Sequence, residues 1–128
     1  MSTDQRVLVV DSSGETHEVL QAALARSGVR TYGARRTRRG LALAEEIRPD
    51  LIVLDLEVDE AEAEATCFPF AEQSRRNATP LVVLGSVRRV EGGSPLGEFV
   101  PKPYDYGPLV RKIEELLARN DECRRRAA

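Results

Sequence analysis

One stretch sets the terms for the whole chain: Pro49-Asp50-Leu51-Ile52-Val53-Leu54-Asp55. A turn signal, Pro49-Asp50, leads into a short apolar run that stops at a carboxylate. A run of this kind reads as a strand covered on both faces, which is what a central parallel strand requires. Val7 to Val10 and Leu81 to Leu84 have the same character and behave as its neighbours. Asp55, at the end of the central run, falls where open α/β sheets place their binding crevice.

The segments between the runs carry helical signals. Ser12-Ser13-Gly14 makes a turn after Asp11, and either serine could cap a helix with Val19, Leu20, Ala23 and Leu24 on one face. Ser27-Gly28 stops it. A weaker strand follows over Val29 to Ala34, then a helix over Thr37 to Arg48 that ends against Pro49. Beyond Asp55 the chain is acidic and alanine-rich, with Pro69 inside the candidate helix. The expectation is either a kinked helix over Ala61 to Asn77 or a loop with a helix starting near Phe68. Glu98-Phe99-Val100 is a short fifth strand, and Asp105 and Pro108 introduce a last helix with Leu109, Ile113, Leu116 and Leu117 on one face. Gly92, Gly93, Pro95 and Gly97 oppose a regular helix between strands four and five, so the fourth helix is expected to be short or absent.

Strands alternating with helices predict an α/β fold with a parallel sheet and helices on both faces. Five strands suit the flavodoxin-like order 2-1-3-4-5, with strands 1 and 3 flanking the switch point. At 128 residues the chain suits a single domain, taken as 1-122, with 123-128 as a basic tail around Arg124-Arg125-Arg126. The net charge of −2, with both signs interspersed, gives no field that points to nucleic acid or membrane. Cys67 and Cys123 lie far apart in no metal-type spacing, which suits a reducing, cytoplasmic setting. No signal pattern opens the sequence, and no apolar run is long enough for a membrane span.

The predicted order brings three features to one rim: Asp11 after strand 1, Asp55 after strand 3, and Lys102-Pro103-Tyr104 after strand 5. Two carboxylates with water can hold Mg²⁺, which prefers oxygen ligands. A lysine opposite them supplies a point charge for a phosphoryl group. Only Lys102 and Lys112 are lysines among 19 basic residues, which favours a pocket role for Lys102. His17 reads as a lone exposed histidine, and Arg35, Arg36, Arg38 and Arg39 as a solvated cluster.

From Val7 to Arg119 the chain resembles the receiver domain of two-component response regulators. The resemblance rests on Val7-Leu8-Val9-Val10-Asp11, Pro49 to Asp55, Pro80-Leu81-Val82-Val83-Leu84, and Lys102-Pro103-Tyr104 before an amphipathic helix. It implies that Asp55 accepts a phosphoryl group from a histidine kinase or phosphotransfer protein, and that Lys102 contacts the phosphoryl oxygens. It further implies that Mg²⁺ is bound beside Asp11 and Asp55. The output would pass through protein contacts to a partner in trans, with a homodimer also open and no enzyme activity expected.

The departures from the family pattern are specific. Ser12 stands where a second acid is usual, which weakens the Mg²⁺ site. Gly85 stands where a hydroxyl residue closes strand 4, with Ser86 one place later. Phe99, the switch aromatic, carries no hydroxyl. Leu56-Glu57-Val58-Asp59-Glu60 replaces a Pro/Gly loop and adds carboxylates. Together they favour an alternative reading: a pseudo-receiver, an interaction module that works without phosphorylation. A flavodoxin-like cofactor binder fits less well, because Ser12-Ser13-Gly14 lacks a Gly-rich phosphate cradle.

Overall fold

The computed structural model describes residues 5–55, 60–85, 97–100 and 105–127. The elements run β1 (Arg6–Asp11), α1 (Glu15–Ala25), β2 (Arg30–Ala34), α2 (Thr37–Ile47), β3 (Leu51–Asp55), α3 (Glu60–Asn77), β4 (Leu81–Leu84), β5 (Gly97–Val100) and α4 (Tyr106–Ala127). The strands form one parallel five-stranded sheet in the order β2-β1-β3-β4-β5, as the alternation of elements predicts. Residues 86–96, where the short or absent fourth helix is expected, lie outside the described residues.

Strand geometry divides the core in two. Successive side chains along a strand point to opposite faces. Leu8, Val10, Ile52, Leu54, Leu81 and Val83 therefore turn to one side and meet Leu43 and Ala44 of α2 and Cys67, Phe70 and Ala71 of α3. Val7, Val9, Leu51, Val53, Val82 and Leu84 turn to the other and meet Leu20 and Leu24 of α1 and Leu109, Ile113, Leu116 and Leu117 of α4. Every residue of β3 and β4 is buried, which is why these strands carry no polar alternation.

The kinked-helix alternative holds for the segment after β3: α3 runs from Glu60 to Asn77 with Pro69 inside it. Pro69 and its neighbour Phe68 are on the exposed side, while Cys67, Phe70, Ala71 and Ser74 form the buried stripe. The proline's lost hydrogen bond thus falls where water can replace it. At the other end of the chain the helix continues through Arg124-Arg125-Arg126 to Ala127, where the sequence suggests a frayed tail. Alanine and arginine both favour helix, so the basic run extends α4.

Two close approaches fix the helices. A Cβ on Gly40 would lie 2.7 Å from Val10 Cγ2 and 3.2 Å from Phe70 Cζ, so α2 sits down on β1 only because residue 40 has no side chain. A Cβ on Gly33 would lie 2.5 Å from His17 Nδ1. His17 is therefore half-buried against β2, a correction to its reading as an exposed residue. Between α2 and α3, toward the start of β3 and so away from Asp55, Ala44, Arg48, Ile52, Gln73, Asn77 and Thr79 line an open cavity of about 330 Å³.

Gly40→Ala gains about 1 kcal/mol of helix propensity but overpacks the α2–β1 contact by about 1–3 kcal/mol. The expected outcome is a net loss of stability, measured as a lower urea midpoint with an unchanged slope.

Candidate functional site at the C-terminal rim of the sheet

The parallel register pairs Asp11 directly with Asp55. Asp11 follows Val7 and Val9 by the period of two, and Asp55 follows Leu51 and Val53 in the same way. Both carboxylates therefore belong to the α1/α4 face, on strands about 4.8 Å apart. Both residues are buried, Asp11 at 1% and Asp55 at 6% exposure.

Hydrogen bonds hold each carboxylate in place. Asp11 Oδ1 accepts from the Ser13 backbone N–H at 3.1 Å and from Ser13 Oγ at 3.0 Å. Asp11 Oδ2 accepts from the Thr16 backbone N–H at 2.8 Å. Thr16 also reaches across the strands, since its hydroxyl donates to Asp55 Oδ2 at 2.5 Å. Thr16 is 2% exposed and joins the two acids by its main chain and its side chain.

These bonds revise how α1 begins. Neither serine occupies the cap position; Gly14 does, with φ 80°. The free N–H groups of the first turn instead go to neighbours, Glu15 to Ser13 Oγ at 3.2 Å and Thr16 to Asp11. Asp11 thus serves the helix start from four residues before it and benefits from the positive end of the helix dipole. Arg35 lies over the same turn, its Nη2 2.9 Å from where a Gly14 Cβ would be.

The other expected site residues divide clearly. Ser12 is exposed. Gly85 closes β4 with φ 144°, a backbone conformation that side chains avoid, and its N–H donates to Val100 O at 3.0 Å. Backbone geometry therefore accounts for the glycine and for the missing hydroxyl. Phe99 belongs to β5, opposite Val83 in register. Ser86 and Lys102 lie outside the described residues. Sequence reasoning missed Thr16 and Tyr106, whose hydroxyl is 3.4 Å from Thr16 Oγ1. The available signal for Thr16 was a hydroxyl residue five places beyond an aspartate at a strand end.

The donor set suits a hard cation. A carboxylate offers about four acceptor positions, and Asp11 uses three, leaving one beside Asp55. Mg²⁺ is commonly held by one or two carboxylates plus waters, so Asp11 and Asp55 fit it sparingly. Among the described residues no cluster of three or more acidic, histidine or cysteine side chains offers a fuller metal site.

No family model matches the chain. Curated relatives do. It is 29% identical over 126 residues to the DNA-binding response regulator MtrA of Mycolicibacterium paratuberculosis, covering 92% of this chain and 53% of that protein. It is 24% identical over 121 residues to the DNA-binding dual master transcriptional regulator RpaA of Synechocystis, covering 91% and 50%. Among solved structures, the signal receiver domain of a histidine kinase from Syntrophus aciditrophicus matches with TM-score 0.70 at 25% identity, covering 89% of this chain and 90% of that one. These relatives and structural neighbours are response regulators and receiver domains, and the chain is similar to them over about nine-tenths of its length. A two-component response regulator from Clostridium difficile shares the receiver fold with TM-score 0.70 at 17% identity, over 90% of this chain and 97% of that one. The chain spans about half the length of the curated relatives it matches.

Removing the Asp11 carboxylate leaves the buried Thr16 N–H without its acceptor. Asp11→Ala is expected to cost about 2 kcal/mol. Ser13→Ala, at an exposed residue, should cost about 0.5–1 kcal/mol. Parallel chemical denaturation of the two variants checks the ranking.

Proposed function

We propose that this domain takes a phosphoryl group onto Asp55 from a phosphohistidine of a histidine kinase or phosphotransfer protein and passes the signal on through protein contacts. The single observation that carries the reading is the buried Asp55 carboxylate at the end of the central strand, in register with Asp11. The receiver relatives and the shared fold support it.

In this reading an Asp55 oxygen attacks phosphorus in line. The new O–P bond forms as the P–N bond of the donor breaks, and the electron pair leaves with the imidazole nitrogen. Thr16 donates to Asp55 Oδ2, and attack through Oδ1 would leave that bond in place. Asp11 and Asp55 would hold Mg²⁺, which when bound offsets the charge of the incoming phosphoryl oxygens. Lys102, two residues beyond β5 in sequence, would pair with those oxygens as a point charge. Arg35, at the rim over Gly14, adds positive charge on the side of β2.

A second reading, the phosphorylation-independent interaction module, is favoured by two observations. Asp11 already spends most of its acceptor capacity on Ser13 and Thr16. Gly85 holds a backbone angle that excludes a hydroxyl side chain at the end of β4. The two readings part on one experiment: intact-mass analysis after incubation with a small phosphodonor and Mg²⁺. A phosphoryl adduct that disappears in Asp55→Asn and weakens in Lys102→Ala is the expected result. An unmodified wild-type chain would leave the interaction module standing.

Cation binding to the folded state alone raises stability by linkage, about 1.4 kcal/mol at ten times the dissociation constant. Thermal melts should therefore rise with Mg²⁺ in the wild type. Asp11→Asn should abolish the increase.

A further inference from the structure

The hydroxyl of Thr16 touches more than Asp55. Its Oγ1 also lies 3.4 Å from the hydroxyl of Tyr106, the first residue of α4. Thr16 has a single hydroxyl proton, and a carboxylate can only accept. With the Thr16 proton on Asp55 Oδ2, a hydrogen bond between the two hydroxyls takes its proton from Tyr106. The two contacts lie in series, from Tyr106 to Thr16 and from Thr16 to Asp55.

We propose that Thr16 is a positioning residue that couples the charge on Asp55 to the start of α4 through this ordered pair of hydrogen bonds. The inference builds on Asp55 as phosphoacceptor and adds a route by which its state is read.

Thr16 is suited to that task. Its backbone N–H is tied to Asp11 and its side chain is buried and β-branched, so its hydroxyl is held in one direction. On the far side of Asp55, β4 ends in Gly85, which offers no side chain. The Tyr106 contact is longer than a full-strength O–H···O bond, so it is the link that opens or tightens when the middle proton moves. Conversion of the carboxylate to an acyl phosphate moves its negative charge onto the phosphoryl oxygens. The Thr16 proton then loses its charged acceptor at Oδ2 and turns toward the new one. Its lone pairs turn with it, and Tyr106 must follow or let go. Tyr106 lies against the same core as Leu109 and Ile113, so its movement is carried into α4.

The test uses full-length chain carrying tyrosine labelled with ¹³C at Cζ, with the Tyr106 signal assigned by Tyr106→Phe. Its first arm needs no phosphoryl chemistry. Asp55→Asn replaces a charged acceptor by a neutral one and should shift the Tyr106 resonance in the wild-type background and in Thr16→Ser. The shift should vanish in Thr16→Val, which keeps the shape and removes the hydroxyl. Thr16→Ala, which keeps the backbone bond to Asp11, gives the same readout should valine not be accommodated. In the second arm, beryllofluoride with Mg²⁺ should shift the same resonance in wild type and Thr16→Ser only. A Tyr106 signal indifferent to Asp55→Asn, or a shift that persists without the hydroxyl, overturns the coupling. Failure of the phosphoacceptor reading shows separately, as absence of the phosphoryl adduct in the wild-type chain.

Discussion

The parallel ladder between β1 and β3 is the constraint on which the site depends. It sets Asp11 opposite Asp55, and the period of two sends both side chains to the α1/α4 face. Two buried carboxylates at adjacent register positions repel, and the protein answers with donors. Ser13 and the backbone of Thr16 serve Asp11, and the Thr16 hydroxyl serves Asp55. The first turn of α1 is therefore part of the site and not a mere connection. Removing its donors would leave charge in a region with little water to receive it.

Asp11 is a helix cap, and the proposed function would give it a second, competing role as cation ligand. As a helix cap it spends three acceptor positions on the turn that follows it. As a cation ligand it has one left. Ser12, exposed and neutral, does not add anionic charge, so these side chains would give Mg²⁺ only a sparing hold. The turn and the cation draw on the same oxygens, and strengthening one weakens the other.

The sheet and its order were legible because burial on both faces leaves a plain mark: Leu51 to Leu54 and Leu81 to Leu84 carry no polar residue. The Asp11–Asp55 pairing was legible for the same reason, since both acids end such runs. Thr16 was not, because its part depends on a helix start that turns back over the strand ends, and a hydroxyl one turn into a helix has many ordinary uses. His17 was misjudged on similar grounds: its partial burial depends on Gly33 of β2, a contact between helix and strand. The glycine at position 85 reads in sequence as a lost hydroxyl. In the structure it is equally a backbone requirement, with φ 144°. Pro69 left two readings open because propensity alone does not say which side of a helix faces water; the position of Phe70 in the core settles it.

The division of the core between the two faces of the sheet has a consequence for how this chain can change length over evolution. An insertion or deletion of one residue within β3 would reverse every side chain beyond it. Leu54 and Asp55 would trade sides, sending a carboxylate among Phe70 and Leu43 and stranding a leucine beside Asp11. Indels in the central strand are thus admissible only in pairs, whereas the outer loops carry no such parity.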